Sequence, residues 1–144
     1  MSDLQLEFRS EQIVEDQSNA KYEGQWLVDS SVRTGMGQAI FPDGTFYEGW
    51  WRDNKANGIG RIISANGNLY EGFWKDDLAH GYGIYIHYED GTKYQGEWVE
   101  DKRHGQGKEM WVDGSEYTGG YFEGKKHGEG EFKWADGSSY KGEF

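Results

Sequence analysis

Rings and glycines alternate in short segments along most of the chain. Tyr47, Gly49 and Trp51 occupy every second position of one such segment, and the same spacing recurs in segments 70–74 and 94–98. Because the side chains of a β-strand point alternately to opposite faces, this period predicts strands that carry their rings and glycines on one face. The pattern therefore predicts an all-β chain.

Three signals repeat along the chain with a common period, which is 70 − 47 = 23 positions between Tyr47 and Tyr70. The Tyr-x-Gly signal begins at Tyr22, Tyr47, Tyr70, Tyr94, Tyr117 and Tyr140, Gly-x-Gly begins at Gly35, Gly58, Gly81, Gly105 and Gly128, and Asp-Gly or Asn-Gly begins at Asp43, Asn66, Asp90, Asp113 and Asp136. Repeats of this length indicate an array of small supersecondary units.

Each unit is predicted to be a β-hairpin, since Asp-Gly or Asn-Gly between alternating segments is a strong hairpin signal. In the clearest unit we expect strand A at 47–51, a loop at Asp53–Asn57 and strand B at Gly58–Ser64. The Asn66-Gly67 turn then leads to Tyr70, so successive hairpins are expected to pair into one continuous sheet. Rings that alternate with glycines are expected to lie on bare backbone of the neighbouring strands.

These segments resemble MORN repeats, which are 23-residue units of the form Y-x-G-x-W … H-G-x-G. The residues that carry the resemblance are Tyr47-Glu48-Gly49-Trp50-Trp51 with Asn57-Gly58-Ile59-Gly60, and Tyr94-Gln95-Gly96-Glu97-Trp98 with His104-Gly105-Gln106-Gly107. Five copies and a sixth half-copy cover residues 22–144. The resemblance implies an elongated single-layer antiparallel sheet of stacked β-hairpins, usually used for protein binding or scaffolding.

Residues 1–21 form an acidic segment in front of the repeat array at 22–144. We expect residues 10–17 to form a degenerate strand B that caps the array, because the ends of repeat arrays need atypical units. The alternative is an acidic disordered tail. At the other end the last unit stops at Phe144 after its strand A, which indicates either a truncated chain or an edge strand open to a partner.

Charge and composition exclude several classes of function. The 15 Lys and Arg residues against 26 Asp and Glu residues give a net charge of −11, which argues against binding to nucleic acid. Cysteine is absent, so neither disulfides nor thiolate metal sites are available. No apolar run approaches the roughly 20 residues of a membrane span. We therefore expect a cytoplasmic protein, and the resemblance adds a cytoskeletal or ciliary association.

Catalytic and ligand-binding signals are weak. His80, His104 and His127 lie one repeat apart, about 10 Å in such a sheet, so neighbours cannot share one metal ion. None of the Gly-x-Gly segments continues into a phosphate-binding loop before a helix. We expect no enzyme activity, no cofactor and no metal.

Two sets of side chains are candidates for binding a partner. Positions out of phase with the rings are apolar in the first three units but mostly polar afterwards, so one half of the opposite face is expected to be apolar. The candidates are Trp50, Phe73, Tyr82 and Ile84 on that face, and Tyr47, Trp51, Tyr70, Trp74, Tyr94 and Trp98 on the ring face. The cover is either the chain's own Leu4, Leu6, Phe8, Ile13 and Val14, or a partner peptide or helix, or a second copy in a homodimer.

The first hypothesis is a non-catalytic adaptor that binds a protein segment in a cytoskeletal or ciliary complex. The second is the regulatory head of a larger enzyme, because the resemblance extends to repeats that precede phosphatidylinositol phosphate kinase and SET-domain methyltransferase modules. Membrane tethering is a weaker third hypothesis. Basic residues such as Lys102 and Arg103 in the A-to-B loops are offset by acids such as Glu100 and Asp101, so the rim is close to neutral.

Overall fold

The computed structural model describes residues 5–144, and they form one antiparallel sheet without helices. Its twelve strands follow one another in chain order, so every connection is a hairpin. They are β1 Leu6–Ile13, β2 Lys21–Leu27, β3 Arg33–Ile40, β4 Phe46–Arg52, β5 Lys55–Ile63, β6 Leu69–Lys75, β7 Leu78–Ile86, β8 Lys93–Val99, β9 Lys102–Met110, β10 Glu116–Phe122, β11 Lys125–Lys133 and β12 Ser139–Glu143. The predicted single-layer sheet of stacked β-hairpins is confirmed.

The tight turns lie at the opposite rim from the Asp-Gly dipeptides. β4 and β5 are joined by Asp53 and Asn54 alone, with φ angles of +50° and +69°. Two consecutive residues at positive φ make a type I′ turn, whose twist suits a two-residue hairpin. The expected loop at Asp53–Asn57 is therefore wrong, because residues 55–57 already belong to strand β5.

The Asp-Gly and Asn-Gly dipeptides lie in longer connections between units. Gly44 has a φ of +96°, as the turn signal requires, and the carboxylate of Asp43 accepts the backbone N–H of Thr45 at 2.8 Å. Phe41 N–H also donates to the carbonyl of Thr45 at 2.8 Å, which closes the connection. These connections join strand B of one unit to strand A of the next.

A β-bulge interrupts each pairing within a unit. Gly49 lies opposite Gly60, whereas Trp51 lies opposite Ala56, so β5 holds extra residues between these two pairs. Gly58 lies in the bulge with a φ of +89°. A bulge accommodates an extra residue in one strand and bends it locally.

Aromatic rings fill one face of the sheet, which we call the ladder face. Tyr22 packs edge-on against Trp26 and Trp51 at centroid distances of 5.2 Å, and Tyr47 packs in the same way against Trp51 and Trp74. Each repeat tyrosine also donates its hydroxyl to the carbonyl three residues later, for example at 2.9 Å from Tyr47 to Trp50. Edge-to-face pairs and satisfied hydroxyls allow rings to form a core only one layer deep.

β1 extends the sheet at its N-terminal end. It pairs with β2 from Leu6 opposite Leu27 to Ile13 opposite Lys21, and it spans Leu6–Ile13 where residues 10–17 were expected. Val14, just after β1, is buried with Ala20 and Tyr22 at the end of the ladder. Leu4 lies outside the described residues.

Candidate partner-binding surfaces

The ring-face candidates are largely buried in the ladder. Tyr47, Trp51, Tyr70, Tyr94 and Trp98 are at most 8% exposed, because each packs against rings of the neighbouring units. A partner can therefore touch little of their surface. The remaining candidate of this group, Trp74, is half-buried and lines a cavity.

The opposite face, which we call the back face, carries a groove of about 830 Å³ that runs across the strands from β1 to β6. Its floor is the backbone of paired glycines such as Gly37, Gly49 and Gly60. The side chains of the residues before and after these glycines, such as Glu48 and Trp50 around Gly49, form the two walls. We call this feature the back groove.

One wall of the back groove is apolar and exposed. Met36 lies opposite Trp50 and Ile59 lies opposite Phe73, so these side chains form a row across the strands. Trp50 is 48% exposed and Phe73 is 46% exposed. Tyr82 continues the row on β7 and is also about half exposed. Three of the four back-face candidates therefore form one surface.

The other wall is charged. Glu48 lies between Gln38 and Arg61 in the register, and Arg61 lies opposite Glu71. Glu23 also lines the groove, which gives three carboxylates against one guanidinium. Ile84, the fourth back-face candidate, lies opposite Glu71 at the end of this wall and is half-buried.

The bulges change the chemistry of the back face from unit to unit. The side chain of Gln25 accepts the backbone N–H of Met36 at 2.7 Å, and Glu97 accepts that of Gln106 at 2.6 Å. In the two units between them, Trp50 and Phe73 stand in the place of Gln25 and Glu97. Neither ring offers a hydrogen-bond acceptor, so the apolar wall replaces a polar contact that the flanking units make.

The N-terminal segment does not cover the apolar wall. β1 lies beside β2 within the sheet, and Phe8 stands at the end of the back groove with 67% of its surface exposed. Ile13 is exposed as well, and Val14 is buried on the ladder face. The alternative in which this segment folds over the back face is therefore wrong for the described residues.

Cations stacked on the ladder were missed by the sequence analysis. The guanidinium of Arg33 lies 4.7 Å from the ring centroid of Trp51, and that of Arg103 lies 5.0 Å from Tyr94. Both side chains come from the first residues of strand B, which the sequence analysis placed in a loop. Stacking of a guanidinium on rings stabilises such pairs more strongly where water is excluded.

A buried polar cluster replaces tryptophan in the fifth unit. Tyr121 stands where other units have Trp, and its hydroxyl donates to the carboxylate of Glu109 at 2.7 Å. Glu109 also accepts from Arg103 at 3.3 Å, with Lys126 at 3.9 Å. Burial raises the pKa of Tyr121, and the neighbouring Glu109 raises it further.

Neither a metal-binding cluster nor a membrane-spanning helix is found in the part of the chain that the structure describes. Residues 5–144 contain no cluster of three or more His, Asp or Glu side chains able to hold an ion. His104 and His127 instead pack on either side of Phe122, with ring centroids 5.3 and 5.5 Å away. Nor do the described residues include a helix that could cross a bilayer.

The match to a family model agrees with this architecture. The family model described as "MORN repeat" matches four consecutive copies, at residues 47–69, 70–92, 94–116 and 117–139. The TCP domain of SAS-4 (dCPAP) of Drosophila melanogaster, solved in complex with a proline-rich motif of Ana2 (dSTIL), is similar with a TM-score of 0.43 and 13% identity over 74% of this chain and 71% of that chain. A likeness of this size carries no argument about fold or function. A comparison with curated proteins gave no significant match.

An open array of hairpins with one buried aromatic layer and a grooved back defines a repeat-type interaction module. Its units carry the family pattern over more than half of the described residues, so the chain belongs to the MORN-repeat family. The expected membership is confirmed. MORN repeats are a non-catalytic repeat type that serves in protein or membrane interaction.

Proposed function

We propose that this array is a non-catalytic adaptor that binds a protein segment in the back groove. The observation that carries the proposal is the exposed apolar wall of Met36, Trp50 and Ile59 beside a charged wall, with Phe73 continuing the apolar row on β6. Exposed apolar patches of this kind mark interaction sites on soluble proteins. Large rings such as Trp50 also provide rigid contact area with few rotamers to order.

The charges of the groove indicate which kind of segment it binds. The wall opposite Trp50 holds Glu23, Glu48 and Glu71 against the single Arg61. The whole chain carries −11, so a second copy would bring acids against acids. Anionic lipid headgroups would meet the same repulsion. The occupant that fits is a segment with one apolar side and one basic side, and a homodimer through this face is disfavoured.

The dimensions of the groove suit a short helix. From β1 to β6 there are five strand spacings of about 4.8 Å, or roughly 24 Å. A helix of about 16 residues has that length. The apolar wall and the charged wall lie on opposite sides of the glycine floor. The apolar side of the bound segment must therefore face the apolar wall, and its basic side must face the charged wall.

The setting that we propose is a cytoplasmic complex associated with the cytoskeleton or a cilium. It is supported by the absence of cysteine from the sequence and by the family resemblance. Localisation of the tagged full-length protein in cells, with and without depolymerisation of microtubules, tests this part separately.

The binding proposal is tested with a defined probe, a fluorescein-labelled amphipathic peptide of leucine and lysine with a helical period. We expect wild-type protein to raise its fluorescence anisotropy in a saturable manner. Scrambling the order, or replacing lysine by glutamate, should weaken binding at least tenfold. The W50A/F73A double variant should also weaken it at least tenfold.

The matched control is the double variant V112A/F122A. Val112 and Phe122 are also exposed apolar side chains, but neither lines the back groove. This variant should bind the peptide as wild type does. Equal binding by W50A/F73A, or no preference over the scrambled peptide, would contradict the proposal. If W50A/F73A loses its β-sheet circular dichroism, E48Q/E71Q provides the same test through the charged wall.

A further inference from the structure

One position of strand B faces the ladder in every unit. It is the residue directly opposite the second ring of strand A: Arg33 opposite Trp26, Ala56 opposite Trp51, Ala79 opposite Trp74, Arg103 opposite Trp98 and Lys126 opposite Tyr121. Three of the five are cations and two are alanines. The chain thus contains its own comparison between units that place a cation on the rings and units that do not.

Arg33 shows what a cation does at this position. Its guanidinium lies 4.7 Å from the ring centroid of Trp51 and 5.7 Å from that of Tyr22. Its Nε and Nη2 atoms donate to the side-chain oxygen and the carbonyl of Asn54, both at 3.2 Å. The ring pair and the turn residue of the next unit together form a seat for a guanidinium.

The second unit repeats the seat without the cation. Tyr47 and Trp74 stand 5.4 Å apart at 89°, as Tyr22 and Trp51 stand 5.2 Å apart at 89°. Ala56 N–H donates to Asp77 at 2.7 Å, as Arg33 N–H donates to Asn54 at 2.8 Å. Ala56 offers only a methyl group, and a cavity of about 480 Å³ opens beside Tyr47, Trp74 and Asp77. Three carboxylates and two cations line this cavity, and they belong to Glu15, Asp16, Asp77, Arg33 and Lys55.

The turn residue that contacts this position is neutral where the position holds an arginine and acidic where it holds an alanine. Asn54 and Gly124, which contact the backbone of Arg33 and Arg103, are neutral. Asp77 and Asp101, which contact Ala56 and Ala79, are carboxylates. Asp77 accordingly adds to burial in raising the pKa of Tyr47, whereas Arg33 opposes burial at Tyr22. The internal cations Arg33 and Arg103 are paired with Asp16 and Glu109, each at 3.3 Å, whereas the units without an internal cation carry an acid at the turn.

In the third unit, the ring of Tyr85 covers the tryptophan that Ala79 leaves uncovered. Tyr85 lies 6.2 Å from Trp98, and Trp98 is 8% exposed even though Ala79 provides no cover. Trp51 beneath Arg33 is 6% exposed. Trp74 is half-buried, so within the described array the second unit keeps an accessible indole beside a carboxylate.

We propose that the cavity beside Trp74 is a binding slot for an arginine side chain of a partner protein. The guanidinium stacks on Trp74, as that of Arg33 stacks on Trp51, and it donates hydrogen bonds to the Asp77 carboxylate. Arginine suits the slot better than lysine because its planar fork stacks on rings and meets carboxylates in a fixed geometry. The slot opens on the ladder face and is separate from the back groove.

The test uses the full chain and the capped peptide acetyl-Gly-Arg-Gly-amide. We follow the indole N–H signals by ¹H–¹⁵N NMR and assign the Trp74 signal, whose Nε1 donates to Gly60 O at 3.0 Å, by its loss in the W74F variant. The arginine peptide should shift this signal in a saturable manner. A citrulline peptide, which has the same shape without the charge, should bind at least tenfold more weakly, and a lysine peptide should fall between them.

Two substitutions make the test specific. D77N keeps the acceptor for Ala56 N–H, as Asn54 does for Arg33, so the variant should fold and bind the arginine peptide about tenfold more weakly. A56R should fill the slot from within the chain and abolish binding. The W50A/F73A variant should bind the arginine peptide as wild type does, which keeps this proposal distinguishable from the back-groove proposal.

An unmoved Trp74 signal, equal shifts with citrulline, or full affinity in D77N would overturn the inference. If D77N fails to fold, A56R decides: a folded A56R protein that still binds the arginine peptide with wild-type affinity would overturn it as well.

Discussion

A Cβ atom at Gly60 would overlap the hydroxyl group of Tyr47. The ring of Tyr47 lies across its own unit and covers Gly60 from the ladder face. The same relationship links Tyr22 with Gly37, Tyr70 with Gly83 and Tyr94 with Gly107. These glycines belong to one row of directly paired residues that crosses β2–β12: Gly24, Gly37, Gly49, Gly60, Gly72, Gly83, Gly96, Gly107, Gly119, Gly130 and Gly142. A bare strip of backbone therefore replaces the second layer of an ordinary core.

We expect G60A to lower the free energy of unfolding by about 3 kcal/mol, because the added methyl displaces the Tyr47 ring from a packed layer. Urea unfolding followed by tryptophan fluorescence measures this change. The control is G114N, since Gly114 has a φ of +90° but no heavy atom near its Cβ position. Asparagine tolerates this conformation, so G114N should cost well under half as much. Similar losses in both variants would contradict the expectation that the Tyr47 ring requires a glycine at this position.

The second prediction concerns the contact between units at Asp101. Its carboxylate accepts Ala79 N–H at 2.7 Å, its own N–H donates to Ala79 O at 2.9 Å, and its φ is +69°. D101N should change stability by less than about 0.5 kcal/mol, since asparagine keeps both the acceptor and the left-handed conformation. D101G should cost about 1 kcal/mol for the lost hydrogen bond.

D101A should cost about 2 kcal/mol, because alanine loses the hydrogen bond and also resists a positive φ. Urea midpoints of the three variants give the order Asn, Gly, Ala. An equal cost for glycine and alanine would mean that backbone conformation at this turn contributes nothing.

The ring and glycine pattern could be predicted because it depends only on the period of a strand and the size of a side chain. The position of the tight turn could not. Asp53 and Asn54 are polar residues that resemble any exposed loop, and only their positive φ angles shorten the connection to two residues. Assigning 55–57 to a loop then hid Ala56, and with it the ladder position that Arg33 and Arg103 occupy.

The candidate surfaces show the same limit. Sequence identified Trp50 and Trp51 equally as binding residues, yet Trp51 is 6% exposed and Trp50 is 48% exposed. Their difference arises from neighbouring units, because Trp51 stands between Tyr22 and Tyr47 in edge-to-face contacts. Period alone assigns a residue to a face, whereas exposure depends on how closely successive rings approach.

Alkaline pH should destabilise the array through its buried tyrosines. Burial raises the pKa of Tyr22 to about 12, with Arg33 opposing it, and raises the pKa of Tyr94 to about 12, with Arg103 opposing it. A raised pKa in the folded state means that the protonated tyrosine stabilises the fold below the unfolded value near 10. This contribution is lost as pH rises from about 10 to 12.

Each of these tyrosines should lower the free energy of unfolding by up to about 1.4 kcal/mol per pH unit within that window. Urea midpoints measured at several pH values between about 8 and 12 test this expectation. Y94F should flatten the fall by the share of one tyrosine, after correction for its lower stability at neutral pH. A midpoint that stays constant between pH 10 and 12 would contradict the prediction.

The last prediction concerns the polar cluster around Tyr121 of the fifth unit. Tyr121 and Glu109 share a 2.7 Å hydrogen bond within a buried site, so a double-mutant cycle of Y121F and E109A should give a coupling energy of about 1.5 kcal/mol. Tyr117 provides the matched control, because its hydroxyl donates to Gly120 O at 2.8 Å. The cycle of Y117F with E109A should give a coupling near zero. Equal couplings in the two cycles would mean that Glu109 acts through general repacking of the ladder and not through the hydroxyl of Tyr121.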